Sequence, residues 1–231
     1  MRGRHVQRKR VSAVIFDMDG VLFDTEAYYQ QLVHDFYAEL GLELPREELW
    51  RLPGRSAQVY QEAMMGWWKS FEGLSDEERR SGPFERFDSW CDEHEVPAEY
   101  LLNPGVPETL AELRRKGIVL ALATSSPASD ISSLIDPTDI RRFFSVIVSG
   151  EDFSESKPNP EIYLHVLHEL EADASDAIAV EDSDTGIAAA LAANLAVAAK
   201  RERRFGFTQR GATWFVDKIP ELLDVVEPKA S

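Results

Sequence analysis

Val14-Ile15-Phe16-Asp17-Met18-Asp19-Gly20 decides how this chain is read. Val14-Ile15-Phe16 is a short apolar run of the kind that forms a buried strand. Asp17 follows it directly and Asp19 lies two residues on. While the backbone stays extended, residues i and i+2 point to the same side, so both carboxylates reach the mouth of one hydrophobic sheet. Such a placement costs free energy unless a cation or a shared proton compensates. The bland alternative is a solvated turn or a helix cap. Asp24, with Thr25 and Glu26 after it, reads as the cap of the next helix.

Further strands are expected at Ile118–Ala123, Ser145–Val148, Ala177–Val180 and Leu195–Ala198, with a sixth at Thr213–Val216. The first is expected to run over Val11–Phe16. Helical spacing lies between several of them: Leu110 and Leu113 before Gly117, then Ile162, Val166 and Leu167, then Ile187 and Leu191. Alternating strands and helices predict an α/β chain with a doubly wound, Rossmann-like parallel sheet. Residues 27–102 break the rhythm with helical patterns alone, such as Leu32, Phe36 and Leu40 before Gly41. The expected division is a core of residues 1–26 and 103–231 and a small helical cap of residues 27–102.

Ligands of open α/β sheets bind outside the carboxyl ends of the strands. Three more polar segments fall there. Thr124-Ser125-Ser126-Pro127 ends a strand and opens a helix, whose free N–H groups suit an anion; a plain helix cap is the alternative. Lys157, in Ser156-Lys157-Pro158, offers a point charge for phosphoryl oxygens, or is a surface lysine. Glu181 and Asp182 end the Ala177–Val180 strand. With Asp17 they could ligate Mg²⁺, or they cap the following helix. In a phosphoryl-transfer site Asp17 would be the nucleophile, and Asp19 the acid and base.

The formal charge of −16 argues against nucleic acid as a partner. Cys91 is the single cysteine, so no internal disulfide forms. No run is long and apolar enough for a bilayer. The expectation is a cytoplasmic monomer acting on a small phosphorylated metabolite.

These residues resemble the haloacid dehalogenase-like hydrolases over most of the chain. Phe16-Asp17-Met18-Asp19-Gly20-Val21-Leu22, Ala123-Thr124-Ser125-Ser126, Ser156-Lys157-Pro158 and Glu181-Asp182-Ser183 with Gly186-Ile187 are similar to the family's four motifs. The resemblance implies Asp17 as nucleophile and Mg²⁺ ligand, and Asp19 as acid/base giving its backbone carbonyl to the metal. Asp182 and Glu181 would complete the metal site. Thr124, Ser125, Ser126 and Lys157 would bind the phosphoryl group, with Arg55 reaching the substrate from the cap. The nearest subgroup is similar to β-phosphoglucomutases and phosphoglycolate phosphatases. Tyr29, Ala57 and Pro127 stand where such mutases carry histidine, arginine and lysine. The expected activity is therefore a Mg²⁺-dependent phosphatase working through an aspartyl-phosphate, with a sugar-phosphate mutase as the alternative.

Overall fold

A strand that is apolar along its whole length has to be covered on both faces, and parallel sheets with helices on each side meet that need. The computed structural model, which describes residues 8–54, 57–72 and 74–229, has this architecture. Its strands are β1 (Lys9–Val11), β2 (Ala13–Phe16), β3 (Val119–Thr124), β4 (Val146–Ser149), β5 (Ala177–Glu181), β6 (Ala196–Lys200), β7 (Trp214–Val216) and β8 (Val226–Pro228). Six of them form a parallel sheet in the order β4-β3-β2-β5-β6-β7. All four residues of β2 are buried. The chain leaves β2 for β3 on one side and later returns to β5 on the other. The β2/β5 boundary is therefore the switch point where α/β sheets open a crevice.

The helices are α1 (Thr25–Glu39), α2 (Arg46–Leu49), α3 (Ala57–Ser70), α4 (Asp76–Ser81), α5 (Phe84–His94), α6 (Ala98–Leu101), α7 (Val106–Arg115), α8 (Ala128–Ile135), α9 (Glu161–Glu169), α10 (Asp184–Ala192) and α11 (Leu222–Val225). Alternation along each strand sorts the core into two layers. Val14, Phe16, Leu120, Leu122, Ile178 and Val180 belong to one, with Leu110 and Leu113 of α7 and Ile131 of α8. Ala13, Ile15, Ala121, Ala123 and Ala179 belong to the other, with Ile162 and Val166 of α9 and Ile187 of α10. Gly117 stops α7 with φ of +79°, a conformation glycine adopts without a Cβ penalty.

One expectation fails in detail. Val11–Phe16 is two strands, because the chain changes sheets at Ser12. The Ser12 N–H donates to the Asp176 carbonyl at 2.7 Å. Val11 instead pairs with Pro228, so β1 and β8 make a separate two-stranded parallel sheet.

The chain divides into two compact units. The first comprises residues 1–24, 98–203 and 207–231; the second comprises Thr25–Pro97 with Arg204–Gly206. The second has its own core of Val33, Phe36, Tyr37, Leu44, Leu49, Met64 and Trp68. The Tyr37 hydroxyl donates to the Met64 carbonyl at 2.7 Å, and the Trp68 indole N–H to the Glu78 carbonyl at 2.7 Å. Their polar ends are thus satisfied inside an apolar cluster. Ser75 and Glu78 cap α4 reciprocally. Among the described residues no helix is long and apolar enough to cross a membrane.

Candidate active site

Parallel register lines up the carboxyl ends of four neighbouring strands. Phe16 is level with Leu122 of β3 and Val180 of β5, and Thr124 is level with Ser149 of β4. Asp17, Thr124 and Glu181 therefore emerge side by side, and Lys157 arrives from the loop beyond β4. Its peptide bond to Pro158 is cis. The Lys157 side chain is 6% exposed. Its ammonium donates to Asp17 Oδ1 at 2.7 Å, to Glu181 Oε1 at 2.7 Å and to the Ala123 carbonyl at 2.9 Å. That uses all three of its protons.

Asp19 faces a different set. Its Oδ2 accepts from the Ser126 hydroxyl at 2.6 Å and from the Thr124 hydroxyl at 3.3 Å. Thr124 in turn accepts the Ser126 N–H at 3.0 Å. The two aspartates thus have separate environments, one cationic and one hydroxylic. Ser125 is exposed beside them.

Burial, and then the charge of Glu181, push the Asp17 carboxyl well above its ordinary value, against the pull of Lys157. Burial works to lower the Lys157 ammonium, but Asp17 and Glu181 override it and hold it well above the usual lysine value. Burial and Glu181 together raise Tyr163 as well. Asp17 and Glu181 thus share one lysine, and Asp182 sets a third buried carboxylate beside them.

Asp17, Glu181 and Asp182 offer carboxylate oxygens within 4.8 Å of one another, all buried. An all-oxygen set of this kind suits a hard divalent cation. The backbone leaves room for it. A Cβ on Gly20 (φ +72°) would lie 2.0 Å from Asp182 Oδ2, and one on Gly186 would lie 2.1 Å from Glu181 Oε2. Glycine at both positions lets the carboxylates sit directly on backbone. The residues present fit Mg²⁺.

Sequence reading missed Tyr163. It is fully buried on α9, its hydroxyl donates to Glu181 Oε1 at 2.5 Å, and its ring lies 5.0 Å from the Lys157 ammonium. Only its place in the apolar stripe of α9 hinted that it was inside. Asp184, read as a first-turn acid, does open α10. Its carboxylate also accepts the N–H groups of Thr208 and Gln209, at 3.0 and 2.6 Å. Pro127 sits at the N-cap of α8 rather than inside it, and the Ala128 N–H there donates to Glu151 Oε2 at 3.1 Å. Arg55 lies outside the described residues.

A doubly wound sheet with acids and a lysine gathered at its switch point defines an α/β enzyme of the Rossmann-like hydrolase class. The chain belongs more narrowly to the haloacid dehalogenase-like hydrolases, whose family profile matches residues 11–194. It is 33% identical over 192 residues to a phosphorylated carbohydrates phosphatase of Thermotoga maritima, covering 80% of this chain and 82% of that one. It is 30% identical over 189 residues to hexitol phosphatase B of Escherichia coli K12, covering 81% and 82%. Among solved structures, CbbY from Rhodobacter sphaeroides in complex with phosphate superposes with a TM-score of 0.69 at 28% identity, over 93% of this chain and 99% of that one. The chain is thus an enzyme of the haloacid dehalogenase-like phosphatase kind, with a sugar-phosphate phosphatase-like function.

Proposed function

We propose that this enzyme is a Mg²⁺-dependent phosphatase of a small phosphomonoester, a sugar or polyol phosphate, working through an aspartyl-phosphate on Asp17. The observation that carries the reading is the division of labour between the two aspartates. Asp17 Oδ1 is held by the Lys157 ammonium, while Asp19 Oδ2 is held by the Ser126 and Thr124 hydroxyls. Nucleophile and acid/base are different tasks, and the two carboxylates stand among different partners.

In the first half-reaction an Asp17 oxygen bonds to phosphorus as the ester P–O bond breaks, and Asp19 gives its proton to the leaving oxygen. In the second, water attacks the phosphorus, Asp19 takes its proton, and the Asp17–phosphorus bond breaks. Lys157 and Thr124 steady the phosphoryl oxygens, with Ser125 and Ser126 at the head of α8 beside them. Asp17, Asp182, Glu181 and the Asp19 backbone carbonyl would hold Mg²⁺, which supplies positive charge to offset the build-up on the transferring group. The second unit would act as a cap that selects the substrate, with Arg55 as its candidate contact.

A mutase needs a second phosphate cradle. Pro127 offers no donor there, and the Glu151 carboxylate already occupies the N–H of Ala128. Water is therefore the acceptor in this reading. The same reading takes the enzyme to be monomeric and cytoplasmic.

The test is release of phosphate from p-nitrophenyl phosphate and a panel of sugar and polyol phosphates. Mg²⁺ should be required, and excess EDTA should silence the reaction. A companion assay supplies β-glucose 1-phosphate with a trace of the bisphosphate. Glucose 6-phosphate forming faster than free phosphate would favour the mutase, and full activity in EDTA would sink the metal-dependent mechanism.

A further inference from the structure

The turn that carries Asp19 is tied down carbonyl by carbonyl. The Met18 carbonyl accepts from the Leu22 and Phe23 N–H groups at 2.8 and 3.1 Å. The Val21 carbonyl accepts from the Asn103 side-chain amide at 2.9 Å, and the Leu22 carbonyl from the Asn103 N–H at 2.8 Å. The Gly20 carbonyl accepts from a different kind of donor, the Lys200 ammonium, at 2.7 Å. Lys200 is the last residue of β6 and is only 8% exposed. Burying an ammonium is costly, and a residue needed only to fill space at a strand end would be apolar.

The same strand end is fastened to the metal-binding acids. The buried Gln209 side-chain amide donates to the Asp182 carbonyl and to the Lys200 carbonyl, each at 2.6 Å, and accepts the Glu202 N–H at 3.4 Å. Asp184 holds the backbone of Thr208 and Gln209 from below. Gly20 has Lys200 on its carbonyl and the Asp182 carboxylate against its Cα, where a Cβ would stand 2.0 Å from the oxygen.

We infer that Lys200 is a positioning residue for the phosphoryl-transfer site. Its ammonium fixes the plane of the Gly20 peptide, and with it the spacing of Asp17 and Asp19 from Asp182. Gln209 locks β6 to the β5 end at the same level. For its rate readout the inference rests on the phosphatase reading.

Lys200→Met tests it, since methionine fills the same space without the ammonium. The kcat on p-nitrophenyl phosphate is expected to fall about tenfold or more with KM changed less than about threefold, because alignment rather than binding is lost. Amide exchange of metal-free protein in the peptide covering residues 16–24 is expected to accelerate about tenfold, while the thermal midpoint moves by only a few degrees or so. Lys200→Cys in a Cys91→Ser background, S-aminoethylated while unfolded and then refolded, rebuilds an ammonium at nearly lysine length and is expected to recover at least about half the lost rate. A Lys200→Met protein with wild-type exchange in residues 16–24 and kcat within about twofold would overturn the inference, as would an aminoethylated variant no faster than its cysteine parent. A wild-type protein inert toward every phosphate ester would remove the phosphatase reading instead, and the exchange measurement would still decide whether Lys200 holds the turn.

Discussion

Asp17 carries a charge that its surroundings resist. Its folded pKa is raised, so the folded chain binds that proton more tightly than the unfolded chain does. The stabilising share is complete below the ordinary aspartate value, about 3.9, and is lost as pH rises through the folded value. Above that folded value, without metal, the ionised group therefore opposes folding. Asp17→Asn should abolish turnover, by about three orders of magnitude or more. Yet in EDTA it should melt at or above the wild-type temperature, with the gain shrinking toward about pH 4. A variant keeping a tenth or so of the wild-type rate would contradict the nucleophile assignment. Lys157→Met has the opposite stability sign. It strips the shared partner from two buried carboxylates, which should cost about 3–5 kcal/mol in urea unfolding as well as the activity. A loss under about 1 kcal/mol would mean that the pairing is dispensable.

At the scale of elements, the places of the two aspartates, Thr124, Glu181 and Asp182 at strand ends were legible because each follows an apolar run whose end needs no tertiary information. Lys157, by contrast, sits in a loop and stood out only through its Ser156-Lys157-Pro158 motif. Tyr163, Lys200 and Gln209 were not legible. The Tyr163 partner lies 18 residues away, that of Lys200 lies 180 residues away, and those of Gln209 include one 27 residues away. No local period encodes such pairings. The six-stranded sheet was legible from its runs, whereas the break at Ser12 carries no glycine or proline turn signal and β8 is only three residues long. α5 makes its own prediction. Burial, and then Asp88 and Asp92, push the Cys91 thiol up to about 11. Well under a hundredth of it is then thiolate at pH 7.5, by roughly three units of separation. Ellman's reagent should react with the folded protein at least about tenfold more slowly than with the urea-unfolded chain. Equal rates would show that the helix does not shelter the thiol.

At the scale of the molecule, the stretches of the first unit that flank Thr25–Pro97 are fastened to each other. Asp24 N–H donates to the Leu101 carbonyl at 2.8 Å, and Phe23 bridges Leu102. Ala98 already belongs to the core that contains Phe16 and Val106. A deletion of Thr25–Pro97 closed by a short glycine-serine linker should therefore fold, because its ends are already fastened to each other. It should keep attack on p-nitrophenyl phosphate and lose preference among sugar phosphates. A deletion reaching Leu102 should be less stable, since it removes Ala98 and both strap contacts. Retained preference in the shorter deletion would show that the helical unit does not select substrate.

The position of β2 also shapes how the chain is made. It is the middle of the sheet, yet its neighbours are Val119–Thr124 and Ala177–Glu181. At translation speeds of about 5–20 residues per second, β2 waits roughly ten to thirty seconds for its second edge to be covered. The helical unit, with an aromatic core of its own, need not wait. During that interval Val14-Ile15-Phe16 is a bare apolar strand on the ribosome, open to chaperones and to other nascent chains. The segment that will hold the nucleophile is thus the first strand of the large sheet to be synthesised and among the last to be shielded.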